Sequence, residues 1–183
     1  MKMVRDHKIN KISLTSFILI ILSGSILLYS YYYLGTTNSN VAGKLWGRIN
    51  DISHLRKVYV FSMFLSAFGF LYTLYYLYKT NSLSHKETQL IPMSFITIII
   101  ASLFWMPLSL KYLTDKKKSQ YLKYVIIGVL SIVAFSSLYS TALINNIKER
   151  NYKLQHNIAI YGMIYFFIHT FFLDNLIWSY NFF

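Results

Sequence analysis

Two side chains in the last apolar segment of the sequence are able to do chemistry. His169 lies midway along that segment, and Asp174 follows five residues later, near its end. Burying an ionisable group among aliphatic and aromatic residues is expensive unless it has a partner, so each residue is a candidate ligand contact or proton carrier. On an ideal α-helix five residues turn through about 140°, and we therefore expect no direct pair between them.

Each of these residues also has a structural interpretation, which the sequence favours. His169 is then a neutral imidazole that hydrogen-bonds to a serine or a backbone carbonyl of a neighbouring helix. Asp174 then ends the apolar segment and reaches water or a basic loop, because Trp178 and Tyr180 behind it resemble an interfacial aromatic belt. The alternative for Asp174 is a position at the mouth of a cavity, where it orients a ligand.

The rest of the sequence offers little that indicates catalysis. Of the six acidic residues, five lie in the N-terminal tail or between apolar segments, and no two share a predicted helix face. Cysteine is absent, and there is no His-x-x-x-His or Glu-x-x-His spacing, no glycine-rich phosphate loop and no nucleophile elbow. We therefore expect a protein that is not an enzyme, with no catalytic residue, no metal site and no cofactor.

The elements that must position these side chains are apolar and long. The chain is 55% hydrophobic and only 13% charged, against about 25% charged residues in soluble domains. A bilayer core of about 30 Å needs about 20 helical residues, so continuous apolar runs of that length predict transmembrane helices. The sequence therefore predicts an all-α polytopic membrane protein, a five-transmembrane-helix bundle forming one membrane domain over 1–183, with helices at about 14–34, 58–78, 90–110, 125–144 and 158–178. We expect the first helix to be retained, because its apolar stretch is too long for a signal peptide.

The charges are placed as in a multi-pass membrane protein. The formal net charge is +12, and the 18 Lys and Arg residues fall almost entirely between the apolar runs. This placement predicts headgroup contacts of the lipid bilayer through basic loops such as 116–118. Nucleic acid is not an expected partner, because the basic loops lack interleaved stacking aromatics. Nine Lys and Arg residues fall on each side, so the positive-inside rule assigns no orientation.

The connection between the first two helices contains an amphipathic pattern. Val41, Leu45, Ile49 and Ile52 recur at helical spacing, which predicts an interfacial amphipathic helix at about 41–55, with Trp46 as its membrane anchor. The alternative is an ordinary basic loop.

The second helix carries a stripe of small residues. Ser62, Ser66, Gly69 and Thr73 recur at steps of four, three and four and so share one face. Lipid provides no hydrophobic drive for helix association, and small residues allow the backbones to approach closely. We therefore predict that this face packs against a neighbouring helix.

Three short motifs resemble those of a known family. They are the segments 64–72 (FLSAFGFLY), 105–108 (WMPL) and 173–181 (LDNLIWSYN). In this order they resemble the translocator protein / tryptophan-rich sensory protein family (TspO/MBR), which shows F-x-x-x-W-x-x-L-Y, W-x-P-L and L-N-x-x-I-W-x-x-N. The chain departs from that pattern at Phe68, at Ser102 and at Asp174, where the family has tryptophan, asparagine and asparagine.

The resemblance implies a five-helix bundle, monomeric or homodimeric, with a cavity that binds porphyrins, sterols or similar flat apolar ligands. The matched residues Trp105, Asp174 and Trp178 would lie near that cavity, and with His169 they form the candidate ligand-binding set. The competing hypothesis is a structural or assembly membrane protein of an organelle or a viral envelope, with no small-molecule ligand. An internal cavity lined by Trp105, His169 and Asp174 would favour the first hypothesis.

Overall fold

The computed structural model describes residues 10–147 and 153–183, and this part of the chain is helical apart from short connections and a single β-bridge between Asn10 and Leu83. Within these residues, five helices are long and apolar enough to cross a membrane. They are α1 (Leu14–Thr37), α2 (Ser53–Lys79), α3 (His85–Thr114), α4 (Gln120–Asn145) and α5 (Lys153–Phe182). The predicted all-α five-helix bundle is confirmed, and the chain is an integral, multi-pass membrane protein.

Most of the helices extend beyond the apolar runs that predicted them. α3 begins five residues before 90, at a capping box in which Ser84 Oγ accepts from the Glu87 N–H and the Ser84 N–H donates to the Glu87 carboxylate. Such caps satisfy backbone donors that the helix itself leaves unpaired. The apolar run stops at the first charge, whereas the helix continues into the headgroup region, where charged residues are tolerated.

The helices follow one another around the bundle in an order that differs from their order in the chain. α1 contacts α3, α3 contacts α4, α4 contacts α5, and α5 contacts α2. The ring closes where the first turn of α1 meets the last turn of α2, with the Phe17 and Tyr78 ring centroids 5.0 Å apart. The other ends of α1 and α2 flank a cavity, which is described below.

The small-residue face of α2 packs against α5, as predicted. Ser62, Ser66, Gly69 and Thr73 are all buried, and the Thr73 hydroxyl donates to the Ala159 carbonyl of α5 at 3.0 Å. A Cβ atom added to Gly69 would lie 2.7 Å from the backbone of Gly162. The two helices therefore touch backbone to backbone at this crossing, which is the closest approach that glycine permits.

The connection between α1 and α2 folds over one end of the bundle. It consists of one α-helical turn, Ser39–Ala42, and a 3₁₀ helix, Gly43–Asp51, and we call residues 39–51 the cap. Leu45 and Ile49 of the predicted stripe are buried, whereas Ile52 is exposed. The structure thus differs from a continuous amphipathic helix at 41–55. Gly47 has a positive φ of 52°, which breaks the helical path and turns the apolar side chains onto the bundle instead of the lipid.

The loop between α3 and α4 is a tight turn held by its own aspartate. The Asp115 carboxylate accepts from the N–H groups of Lys117 (3.0 Å) and Ser119 (3.2 Å). These backbone hydrogen bonds stabilise the ionised form and lower the pKa of Asp115 below its ordinary value. The turn presents Lys116, Lys117 and Lys118 as exposed side chains on the same end of the bundle as the cap, and their contact with headgroups stays a prediction.

The absence of cysteine allows a direct test of this topology with single introduced cysteines. We expect a membrane-impermeant maleimide to label Lys44→Cys and Lys117→Cys from one side of uniformly oriented sealed vesicles. Asn81→Cys, in the exposed loop between α2 and α3, should be labelled from that side only after permeabilisation, because one helix separates it from each of the other two positions. Equal labelling of all three variants in intact vesicles would show that α2 and α3 do not both cross.

Candidate functional site

The chemistry-bearing stretch of α5 is not an α-helix. Residues His169–Trp178 form a π-helix, in which hydrogen bonds join residues five apart. His169 Nε2 and Asp174 Oδ1 consequently lie 3.6 Å apart, within electrostatic contact although beyond a hydrogen bond. The prediction that they would not pair was wrong, because it assumed the 3.6-residue turn of the α-helix. π-Helices are usually single turns and occur frequently at functional sites. A π-helix of ten residues therefore makes this region a candidate functional site.

A chain of polar side chains joins α2 to this π-helix. The Tyr59 hydroxyl donates to Asp174 Oδ1, and Ser62 Oγ lies 2.9 Å from His169 Nδ1. The Tyr165 hydroxyl donates to Ser62 Oγ at 2.9 Å. Because Ser62 accepts from Tyr165, its own hydrogen is available to His169 Nδ1, and the imidazole proton then sits on Nε2, facing Asp174. The network therefore directs donors at one carboxylate oxygen.

The structure bears on both sequence interpretations of His169, and its role as a ligand contact or proton carrier stays a prediction. It hydrogen-bonds to a serine of a neighbouring helix, as the structural interpretation predicts, and it also lines a cavity. Asp174 is a cavity residue too: its side chain keeps 25% of its accessible surface, and its hydrogen-bond donor is Tyr59 on α2. Its position at a cavity wall agrees with the alternative interpretation, and its predicted role in orienting a ligand there stays a prediction.

The cavity has a volume of about 450 Å³ and lies under the cap. All five membrane helices and the cap contribute to its lining. The four candidate residues Trp105, His169, Asp174 and Trp178 are among the residues that line it. The predicted site residues, up to 73 positions apart in the chain, are therefore brought together around one space.

Two tryptophans form a wall of the cavity. The Trp105 and Trp178 rings meet edge to face with centroids 5.3 Å apart, and the Tyr31 ring centroid lies 5.7 Å from that of Trp105. Trp178 also donates through Nε1 to the Leu45 carbonyl of the cap at 2.6 Å. Trp105 Nε1 is buried and has no hydrogen-bond partner in the described part of the chain, an arrangement that native proteins usually avoid outside functional sites.

Sequence reasoning missed the α2 side of the site. On α2, Tyr59 supplies the hydrogen bond to Asp174, and Ser62 accepts one from Tyr165 of α5. A signal was present for Tyr59, because the steps 59, 62, 66, 69 and 73 continue the small-residue face by one further position. A tyrosine on that face lies at the same helix interface as Ser62 and can reach a polar group on α5.

A second concave surface lies between α3 and α4. This groove of about 500 Å³ is lined by residues such as Ser94, Thr97, Ser131 and Phe135. It contains none of the candidate residues and no acidic, basic or histidine side chain among its lining. The cavity under the cap, which gathers the polar network, is accordingly the candidate site. Within residues 10–147 and 153–183, no group of three His, Cys, Asp or Glu side chains is placed to hold a metal ion.

The cap is fastened to the C-terminal turn of α5. Arg48 donates to the Tyr180 carbonyl at 2.9 Å and lies over the Tyr180 ring, 5.1 Å from its centroid. A Cβ atom at Gly47 would lie 2.3 Å from the Asn181 carbonyl oxygen. Glycine is thus required at position 47 for two reasons, its positive φ and the close approach of the α5 backbone.

Replacing Gly47 by alanine should release the cap. The positive φ and the clash with Asn181 together correspond to a strain of about 1–3 kcal/mol or more, so we expect trypsin to cleave after Lys44 and Arg48 about tenfold faster than in the wild type. Gly43→Ala is the matched control, because nothing lies within 4 Å of its added Cβ and its φ is −60°. Equal cleavage of the two variants, measured by mass spectrometry, would contradict this role of Gly47.

No protein-family model matches the chain, and searches of curated proteins and of solved structures find no match either. The geometry of the cavity is therefore the basis on which a function is assigned.

Proposed function

We propose that the protein binds a flat apolar ligand in the cavity under the cap, in the manner that the TspO/MBR resemblance implies. One observation carries this proposal. Trp105, His169, Asp174 and Trp178 are the ligand contacts that the sequence predicts, and all four line the same cavity. Its volume of about 450 Å³ falls in the range of about 300–1,000 Å³ that is usual for small-molecule sites.

The lining suits a ligand with an apolar body and a polar group. Aromatic rings from α1, α2, α3, α5 and the cap border the cavity, and planar molecules pack well against such rings. The polar residues converge from α2 and α5, where Tyr59, His169 and Asp174 meet. A mostly apolar pocket with a few convergent polar groups is the usual composition of a ligand site.

A titration with a porphyrin tests this function directly. All three tryptophans of the chain, Trp46, Trp105 and Trp178, line the cavity, so tryptophan fluorescence reports on its occupancy. We expect saturable quenching of that fluorescence at a defined stoichiometry, together with a shift of the porphyrin absorbance band in the purified protein.

A cavity-filling variant separates binding from partition into the detergent. Ala67 lines the cavity, and Ala67→Phe should weaken porphyrin binding about tenfold or more because the added ring occupies the same space. Ala142→Phe is the matched control, since Ala142 is an exposed alanine of α4 that does not line the cavity. Quenching that is linear in porphyrin, or identical in the two variants, would contradict the proposal.

A further inference from the structure

Among the described residues that line the cavity there is one carboxylate, and its only basic companion is the imidazole of His169. Asp174 is the only acidic residue among the described residues that line the cavity, and no Lys or Arg is among them. Two arginines at this end of the bundle have other contacts. Arg48 donates to the Tyr180 carbonyl, and the Arg56 guanidinium lies over the Trp46 ring at 5.4 Å. The described groups that contact Asp174 are a tyrosine hydroxyl and the imidazole of His169, and no Lys or Arg pairs with it. A carboxylate in a cavity between transmembrane helices is a candidate contact for a ligand that carries the opposite charge.

The hydrogen bonds around Asp174 leave one oxygen available. Tyr59 donates to Oδ1, and His169 Nε2 faces the same oxygen. No hydrogen bond from the described residues reaches Oδ2, and the side chain keeps 25% of its accessible surface. A carboxylate oxygen fixed on one side and open on the other is an acceptor for a hydrogen-bond donor in the cavity.

The walls around this acceptor include many aromatic rings. Six rings line the cavity, those of Tyr31, Trp46, Tyr59, Trp105, Phe166 and Trp178. The faces of such rings carry partial negative charge and attract cations, most strongly for tryptophan. A ring-lined space with a single carboxylate is the arrangement by which proteins hold substituted ammonium groups, because the rings replace water around the charge and the carboxylate pairs with it.

We propose that the ligand of this cavity is a lipophilic amine, whose ammonium group pairs with Asp174 and whose apolar body packs against the tryptophans. This inference rests on the proposed function. It narrows the class of ligand from flat apolar molecules in general to those that have a cationic group. It disfavours ligands whose polar group is a carboxylate, because that group would face Asp174 in a lining whose described residues include no Lys or Arg to offset the repulsion.

Three probes of the same shape distinguish these ligand classes. They are 9-(dimethylaminomethyl)anthracene, which is cationic at neutral pH, its uncharged isostere 9-isobutylanthracene, and anthracene-9-acetic acid, which is anionic. Energy transfer from the three tryptophans to anthracene measures the binding of each probe to the purified protein. We expect the amine to bind about tenfold to a hundredfold more tightly than the isostere, and the acid to bind more weakly than either.

Two variants locate the preference at Asp174. In Asp174→Asn the affinity for the amine should fall to that for the isostere, while the affinity for the isostere itself should change little. Asp51→Asn removes one negative charge from an exposed position on the cap and serves as the control. It should keep the amine preference of the wild type, which separates a paired carboxylate from a general effect of surface charge.

The outcomes separate the two proposals. Equal binding of amine and isostere to the wild type, or an amine preference that survives in Asp174→Asn, overturns the amine inference and leaves the ligand-binding function standing. Saturable binding of none of the three probes overturns the inference and, when porphyrin also fails to bind, the proposed function.

Discussion

Replacing Gly69 by leucine should lower the melting temperature of the protein in detergent by about 6–12 °C. The added Cβ would lie 2.7 Å from the Gly162 backbone, which is not able to move aside as a flexible side chain does. Overpacking of this kind is destabilising by about 3 kcal/mol at the upper end of its usual range, and 1 kcal/mol corresponds to about 2–4 °C for a chain of this size. Separating α2 from α5 also removes the Thr73 hydrogen bond to Ala159.

A second glycine provides the control for this prediction. Gly128 is exposed in the middle region of α4, and nothing lies within 4 Å of a Cβ atom added there. Gly128→Leu introduces the same side chain into a transmembrane helix and should change the melting temperature by no more than about 2 °C. Gly162→Leu, which approaches Gly69 from the other side, should match Gly69→Leu. Similar melting temperatures for Gly69→Leu and Gly128→Leu would show that the two helices do not depend on this contact.

The number and type of the helices were predictable because the bilayer imposes them. A backbone in lipid must form all its hydrogen bonds within the protein, and a helix does so within a single segment. Five long, continuous apolar runs therefore lead to five helices. The small-residue face at Ser66 and Gly69 was predictable for a related reason, since close packing is what holds such helices together. The ends were less predictable, because a capping box such as Ser84 and Glu87 extends a helix through residues that a hydropathy criterion excludes.

The cap was mispredicted because its structure depends on a distant part of the chain. The stripe at Leu45 and Ile49 correctly marks the apolar side of the segment. What it packs against, however, is the end of α5, through Trp178 and residues 180–182. The sequence alone does not show that Gly47 adopts a positive φ to allow this contact, because glycine is compatible with either conformation.

The residues of the site were predictable from the sequence, but their positions relative to one another were not. Single residues such as Trp105 and Asp174 are conspicuous in sequence, through a motif or through a charge in an apolar run. Their relative positions depend on the helix type, and the π-helix at His169–Trp178 changes which residues share a side. The apolar and aromatic sequence of this stretch has no feature that favours i→i+5 over i→i+4 hydrogen bonds. The contact between His169 and Asp174 was therefore not predictable from residue spacing on an α-helix.

Asp174→Leu should destabilise the bundle, whereas Asp174→Asn should be tolerated. Leucine removes the acceptor of the Tyr59 hydroxyl and leaves that hydroxyl without its partner. It also removes the carboxylate that lies in electrostatic contact with His169 Nε2. An unsatisfied buried donor corresponds to a loss of about 1–3 kcal/mol, which chemical denaturation in detergent micelles is able to resolve. Asparagine keeps an oxygen at the same position, so most of the stability should remain even though the charge is lost.

A double-mutant cycle with Tyr59→Phe decides whether this contact is the cause. Tyr59→Phe removes the hydroxyl donor and keeps the ring that packs on Trp46 and His169. If the hydroxyl and the carboxylate act as a pair, the double variant Tyr59→Phe/Asp174→Leu should be more stable than the sum of the single losses predicts, by about 1 kcal/mol or more. Strictly additive losses would mean that Asp174 acts independently of Tyr59. The hydrogen bond between α2 and the π-helix would then contribute nothing that holds the cavity wall in place.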